Sequence, residues 1–376
     1  MAKIVDKFDE YSLELIYPTD EEKKNKISCA VNTNEFLFYS NNPESVYYKD
    51  FADSGKFFCR ETVKGNGQIY TWHRNEYEGT ITSLILMYNP TDKEIEINFT
   101  NIGTTIDPNW ISDVYAWRDY LTAANSPVKI TLSPYEYANI FSRQIPAYCN
   151  FGVISRVSIT DKQGNPAAIT FFDLAYVDET KSGNATEPAQ ASVTGNKADP
   201  HRGVGAGFYE TFTLNLSMSS SEQDKAKVIS FGKDKTTDTS NDGDSFDGKD
   251  LIQMTDSSGQ IKIKGLAGNY GVQMDVRLKF TNNTGNTGNF KVVMSSSGGK
   301  IYPFVSLNGV FAYPGRRIET AKVLMEMIDL GTIENGKSVS VNFFTALTAV
   351  STAPFWTAPQ KLDKKKQLLE VQFFYD

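Results

Sequence analysis

The stretch Leu84-Ile-Leu-Met-Tyr-Asn-Pro-Thr-Asp-Lys-Glu-Ile-Glu-Ile-Asn-Phe99 decides the fold class. An apolar run stops at Asn89-Pro90-Thr91-Asp92, where proline fixes φ and the Asn and Asp side chains bond their own backbone, so the chain turns. Beyond the turn, Ile95, Ile97 and Phe99 alternate with Glu96 and Asn98. That period of two places one face of a strand in a core and the other in water. The same order returns later: Tyr270-Gly-Val-Gln-Met-Asp-Val-Arg-Leu-Lys-Phe280, an Asn/Thr/Gly turn at 281–288, then Phe290-Lys-Val-Val-Met294.

Working outward, Gln68-Ile-Tyr-Thr-Trp-His73, a turn at Glu78-Gly79 and Ile81 onward read as a hairpin. Val128-Lys-Ile-Thr-Leu132 and its sequel parallel Leu330-Gly-Thr-Ile333 and its sequel. Each half closes on an aromatic-rich strand, Ile169 to Tyr176 and Leu369 to Tyr375. The pattern is that of a diverged duplication. It predicts an all-β chain of two tandem antiparallel β-sandwich, jelly-roll-like domains. The expected boundaries are residues 1–177 and 201–376, joined by a linker at 178–200 rich in Ser, Gly, Asn, Thr, Ala and Pro. One short helix is expected in the first domain near 109–121. There Trp110, Val114, Trp117 and Leu121 make a single apolar face, read as packing over the open end of a sandwich.

At 376 residues, 40% of them hydrophobic and 12% aromatic, the chain exceeds one core and suits β packing. A formal net charge of -7 argues against a nucleic-acid binder, which needs a basic stripe to displace counterions. The basic run from Lys361 to Lys366 reads as a solvated turn. The three cysteines, Cys29, Cys59 and Cys149, have no CxxC spacing. Buried free thiols are expected, with Cys59 and Cys149 the pair to bridge in an oxidising compartment. No apolar run follows the charges of the N-terminus, so neither a secretory signal nor a membrane span is expected. A cell-surface, spore-surface or virion location fits best, with any signal lying outside this sequence.

Only His73 and His201 are available, which rules out a multi-histidine metal site within one chain and leaves little for a Ser-His-Asp relay. His73 reads as a structural residue hydrogen-bonded near the surface, and His201 as the end of a flexible linker. The chain is therefore read as no enzyme, with no catalytic residue assigned. The acidic loop at 233–250 sets oxygen side chains at alternate positions around Gly243, so Asp238, Ser240, Asp242 and Asp244 are the candidate ligands for calcium, the candidate cofactor. Lys249 stands where the bidentate Glu of such a loop belongs, which favours a solvated loop. For ligand binding, Trp356 in Ala353-Pro-Phe-Trp-Thr-Ala-Pro359 and Trp72 are the aromatic candidates, with glycans the partner they suit.

Three runs carry a resemblance: Tyr70-Thr-Trp-His73, Leu84-Ile-Leu-Met-Tyr-Asn-Pro90 and Val114-Tyr-Ala-Trp-Arg-Asp-Tyr-Leu121. Together they resemble one domain of exported Firmicutes envelope proteins, which often also carry a copper amine oxidase-like N-terminal domain. Gly268-Asn-Tyr-Gly-Val272, with Ser295-Ser-Ser-Gly-Gly-Lys300 downstream, is similar to the domain that follows it there. The resemblance covers most of residues 65–376 and implies structural work at the cell envelope. It does not imply copper chemistry, since the namesake domain is absent here. The expected function is that of a non-enzymatic structural or adhesive surface protein of a bacterial envelope, spore or related assembly. It would act as a homo-oligomer or with assembly partners. The alternatives are carbohydrate-binding modules and a double jelly-roll capsid protein.

Overall fold

The computed structural model describes residues 2–178, 192–193, 201–232, 246, 249–255, 261–263, 266, 269–296, 300–319, 323–348 and 355–361. In chain order these form β1 (Lys3–Ile4), β2 (Glu10–Tyr11), β3 (Glu14–Ile16), helix α1 (Asp20–Lys26), β4 (Ile27–Val31), β5 (Phe36–Ser40), β6 (Ser45–Val46), β7 (Lys56–Phe57) and β8 (Cys59–Lys64). Next come β9 (Asn66–Asn75), β10 (Ile81–Tyr88), β11 (Ile95–Asp107), helix α2 (Ser112–Leu121), β12 (Val128–Leu132), β13 (Tyr137–Ile145), β14 (Asn150–Asp161), β15 (Ala168–Tyr176), β16 (Ser192–Val193) and β17 (Arg202–Ala206). The remainder are β18 (Tyr209–Ser219), β19 (Lys225–Lys227), β20 (Ile229–Phe231), β21 (Met254–Thr255), β22 (Ile261–Ile263), β23 (Gln273–Asn283), β24 (Gly288–Ser296), β25 (Val305–Leu307), β26 (Val310–Ala312), β27 (Leu324–Ile333), β28 (Ser338–Thr345) and β29 (Phe355–Lys361).

The chain forms two compact units, each discontinuous in sequence. Unit 1 comprises Met1–Val31, Tyr209–Leu251 and Ala267–Asp376; unit 2 comprises Asn32–Phe208 and Ile252–Leu266. These memberships differ from two contiguous domains divided at 178–200. Strand pairing is the cause, because β4 pairs with β18 and β21 pairs with β17.

Unit 2 is a sandwich of a four-stranded sheet, β13-β10-β15-β8, and a larger sheet, β12-β11-β14-β9-β5-β17-β21-β22, with β6 also on β9. Phe38, Ile69, Ile85, Met87, Ile97, Phe99, Ile159 and Phe171 fill the core between them. The apolar run in β10 is unbroken because both of its faces are buried. Ile85 and Met87 enter that core, while Leu84 and Leu86 pack with Phe57, Phe172 and Leu174.

Unit 1 repeats the plan with β1-β27-β24-β29-β19-β3, extended by β2 and β20, against β26-β25-β28-β23-β18-β4. Its core includes Phe212, Leu214, Val276, Leu278, Phe280, Phe290, Val292 and Met327. Most pairs are antiparallel, as expected. The exceptions are β5 and β6 on β9, β7 on β16, β3 on β19, and β18 on β23.

The connections differ from the sequence expectation in one respect. β9 and β10, read as a hairpin, lie in different sheets, as do β10 and β11 and also β23 and β24. The turns are arches that carry the chain across the sandwich. A period of two shows that one face is buried, and it is silent on which strand lies alongside.

Each arch is held by a buried asparagine. Asn89 Nδ2 donates to the carbonyls of Lys93, Leu132 and Ser133, and its Oδ1 accepts from the backbone and hydroxyl of Thr91. Asn282 does the same in unit 1, donating to the carbonyls of Asn286 and Ile333 and accepting from Thr284.

Helix α2 also sits elsewhere than expected. It lies on the outer face of the larger sheet of unit 2, over β11 and β14, as a third layer. Gly103 makes this approach possible, because a Cβ there would stand 1.9 Å from the carbonyl oxygen of Ala116. Val114, Trp117 and Tyr120 are buried beneath the helix, Tyr70 donates to Asp113 (2.9 Å), and Tyr120 donates to Gln68 (2.7 Å). Helix α1, which the sequence reading missed, is in unit 1. It carries a capping box between Thr19 and Glu22, with acids in its first turn and lysines in its last. Among the described residues no helix is long and apolar enough to cross a membrane.

Candidate contact surface

β9 ends at Arg74 and Asn75, and these two residues organise one end of unit 2. Strand register brings the other ends there: Asn150 of β14 pairs with Arg74, Asp107 of β11 with Asn150, and Val46 of β6 with Asn75. In the facing sheet Ile81 pairs with Ile145, and Thr82 with Tyr176. Asn75 is fully buried. Its Nδ2 donates to the carbonyls of Gly79 (3.0 Å), Ile145 (3.3 Å) and Pro146 (3.0 Å), and its Oδ1 accepts from the Tyr77 N–H (2.9 Å). Its backbone exchanges bonds with Cys149 and Tyr148. Only a side-chain amide, with donor and acceptor on one planar group, satisfies so many loop groups at once.

The loops held this way present aromatic rings to solvent. Tyr47, Tyr48, Ile106, Trp110, Tyr115 and Tyr148 are six of the nine large apolar or aromatic side chains exposed among the described residues, each between 39% and 48% exposed. All six sit on strand ends, loops or the first turn of α2 at this end. Tyr77 links them to the interior through Tyr48 (6.2 Å between ring centroids) and Phe51 (6.2 Å, edge to face). Trp110 stacks on Trp72 with centroids 5.6 Å apart and planes 27° from parallel, and the Arg74 guanidinium lies 5.1 Å from the Trp110 ring. Such a surface resembles the aromatic, Arg-containing centre of protein interfaces more than ordinary solvated loops.

The buried ionisable groups lie away from this rim. In unit 2, His73 is fully buried on the inward face of β9, so it is not the near-surface residue expected. Its Nδ1 donates to the Pro43 carbonyl (2.7 Å), and one proton lies between Nε2 and Asp173 Oδ2 (2.8 Å). Ser40 Oγ also addresses Nε2, at 3.4 Å. A catalytic relay sets serine and carboxylate on opposite ring nitrogens, and here both share one. The Phe58 ring, 4.5 Å away, packs against the imidazole.

In unit 1, Glu210 is fully buried with both oxygens held by Asn269 Nδ2 (3.0 and 3.1 Å). Burial raises its carboxyl well above the usual range, the neighbouring Asp250 raises it further, and Asn269 opposes both. Asp250 accepts the Gly232 N–H (2.7 Å), and its carbonyl accepts Asn269 Nδ2 (2.8 Å), closing the base of the acidic loop.

The residues singled out from sequence fall as follows. Trp72 has no exposed surface and is the inner partner of Trp110, which the sequence reading had given to the helix face. The structure therefore puts the exposed indole at 110. Trp356 is on β29, paired with Ser230 and Ser295, and its side chain lies outside the described residues. The loop residues Asp238, Ser240, Asp242 and Asp244 also lie outside them, as do most of the linker and the strand read at Leu369 to Tyr375. Among the described residues no group of three His, Cys, Asp or Glu side chains is set to hold a metal.

All three cysteines are free. Burial raises each thiol, with Glu210 and Asp250 adding to it at Cys29, Glu61 and Asp173 at Cys59, and Asp107 at Cys149. Neutral, buried thiols are poor nucleophiles. The signal for the rim was present in the Tyr and Trp residues of 47–48, 110–115 and 148. It was unreadable because only register shows that these segments meet.

No family model matches this chain, and no curated protein matches it. Likenesses to solved structures are slight. PBSX exported protein XepA is 6% identical, over 96% of this chain and 86% of that one, with a TM-score of 0.13. Bacillus subtilis oxalate decarboxylase is 10% identical over 82% and 74%, with a TM-score of 0.11. The pro-11S globulin of pumpkin is 10% identical over 94% and 84%, also at 0.11. Likenesses at this level carry no argument about fold or function.

Proposed function

We propose that this is a non-enzymatic structural or adhesive protein that works by contact, with the aromatic end of unit 2 as its contact surface. The observation that carries the proposal is the concentration of exposed Tyr and Trp rings on loops that Asn75 holds fixed. Rigid aromatic rings give large contact area at small entropic cost, and fixing them beforehand lowers the cost of binding further. The disposition of the reactive groups supports the same reading, since His73 has both ring nitrogens engaged and the three thiols are held neutral. An envelope, spore-surface or related assembly is the setting proposed, supported by the resemblance of residues 70–73, 84–90 and 114–121 to a domain of exported Firmicutes proteins.

The test is self-association. Sedimentation velocity over a wide concentration range should show the native chain assembling, and the double variant Tyr48→Glu/Tyr148→Glu should remain monomeric with an unchanged circular dichroism spectrum. Assembly that ignores these charges would place the contact elsewhere.

A further inference from the structure

We infer that the Trp110 corner of this surface is a subsite for an uncharged sugar ring, an assignment that deepens the contact reading and rests on it. The argument starts from the groups left over once the protein's own bonds are made. Trp72 and Arg74 project from the same face of β9, two residues apart, and Trp110 lies over both. The indole thus engages the protein on one side and remains 39% exposed. Arg74 is fixed by Glu76, whose Oε1 accepts from Nε (2.8 Å), and by the Pro108 carbonyl and Asn150 Oδ1, which accept from Nη1 (3.4 and 3.2 Å). The two hydrogens of Arg74 Nη2 have no partner among the described residues, and neither has Glu76 Oε2.

A donor pair and an acceptor therefore stand side by side next to an aromatic plane, each anchored by its other bonds. A pyranose has the complementary make-up. It offers an apolar C–H face to an aromatic ring and a rim of vicinal hydroxyls, each both donor and acceptor. The phenols of Tyr47, Tyr48 and Tyr148 continue the aromatic surface at the same end.

Charge and backbone pairing narrow the class. Glu44, Glu76, Glu78 and Asp107 outnumber Lys49 and Arg74 here, and the whole chain carries -7, so an acidic polymer is repelled. A peptide that binds by adding a strand needs free backbone groups. At this end the N–H groups of Arg74, Asn75, Glu76 and Tyr148 are already bonded to Glu44, Cys149, Val46 and Asn75.

The test is affinity electrophoresis of the full chain in native gels cast with mixed-linkage β-glucan, galactomannan or dextran, and with polygalacturonate as the acidic polymer. The native protein should be retarded in at least one neutral gel and not in polygalacturonate. Trp110→Ala should weaken retardation about ten-fold or more, the effect of losing roughly one stacking contact. Glu76→Gln should weaken it less. Trp110→Phe, which keeps a ring over Trp72, should retain part of it, and Tyr135→Ala at the opposite end of unit 2 should leave it unchanged.

Retardation in none of the neutral gels, stronger retardation by polygalacturonate, or full retention by a folded Trp110→Ala overturns the inference. If the gels are silent while Tyr48→Glu/Tyr148→Glu still abolishes self-association, the sugar subsite falls and the contact reading stands. If neither responds, both fall.

Discussion

The two units bury a carboxylate in opposite ways. In unit 2, Asp173 meets a histidine that is itself anchored on its far nitrogen, so the negative charge is answered within 2.8 Å. In unit 1, Glu210 meets an amide and a second carboxylate, and its environment favours the neutral acid. The difference teaches that a shared strand plan leaves the interior polar groups free to diverge, provided each finds a partner. Strand order diverges too. In unit 2, β15 separates β8 from β10, whereas in unit 1 β18 lies directly against β23, parallel over Tyr209–Ser219 and Gln273–Asn283.

The largest expected effect tests the paired carboxylate. Asp173→Ala strands the buried imidazole and should cost about 3–5 kcal/mol in urea unfolding, the usual penalty for halving a buried pair. A loss under about 1 kcal/mol would show that the pair is not the anchor described.

Next, Asn75→Ala and Asn282→Ala remove the same device from different arches. Each should cost about 1–3 kcal/mol or more through carbonyls left unsatisfied. Hydrogen exchange should then report loosening at residues 76–80 and 146–149 for the first variant alone. Gly103→Ala should cost about 1–3 kcal/mol by driving a methyl into the α2 backbone, and near-ultraviolet circular dichroism of the Trp117 and Tyr120 environment should change with it.

The smallest expected effect, and the one of opposite sign, concerns Glu210. Its folded carboxyl binds a proton more tightly than the unfolded one, whose value is near 4.5. Its contribution to stability is therefore full below that value and is lost as pH rises through the folded value. Glu210→Gln should be closest to native stability in mild acid and should gain on it as pH increases, read from melting temperatures between pH 4 and 8. A constant difference across that range would remove Glu210 from the account.

Much of the fold was legible locally. The alternation in Ile95 to Phe99, the proline-containing turn at Asn89–Asp92 and the recurrence at 270–294 gave strands, turns and a doubled sandwich. The apolar positions of α2 gave a helix, though Trp110 lies before its first turn and is exposed. The capping box at Thr19–Glu22 was a readable helix signal that passed unnoticed in a charged stretch. Pairing was beyond reach. Strands that read as a hairpin belong to opposite sheets, and residues 2–31 complete a unit whose other strands begin at Tyr209. No local pattern encodes a partner so distant in sequence.

The candidate site shows the same limit more sharply. Sequence identified aromatic side chains as the contact groups but chose Trp72, whose indole is sealed beneath Trp110. Both sit in stretches of similar composition, and only the crossing of the 108–111 turn over β9 decides which one faces water.

The sequence by itself determined the class of the molecule: alternating apolar residues and turn formers specify half-buried strands, and two histidines with scattered cysteines leave little for catalysis. Only the tertiary structure decided which strands share a sheet, which ring is exposed, and which carboxylate finds a cation. Those outcomes depend on contacts between residues far apart in the chain. Their free energies arise from burial and pairing in the assembled core, which no single segment possesses before the others arrive.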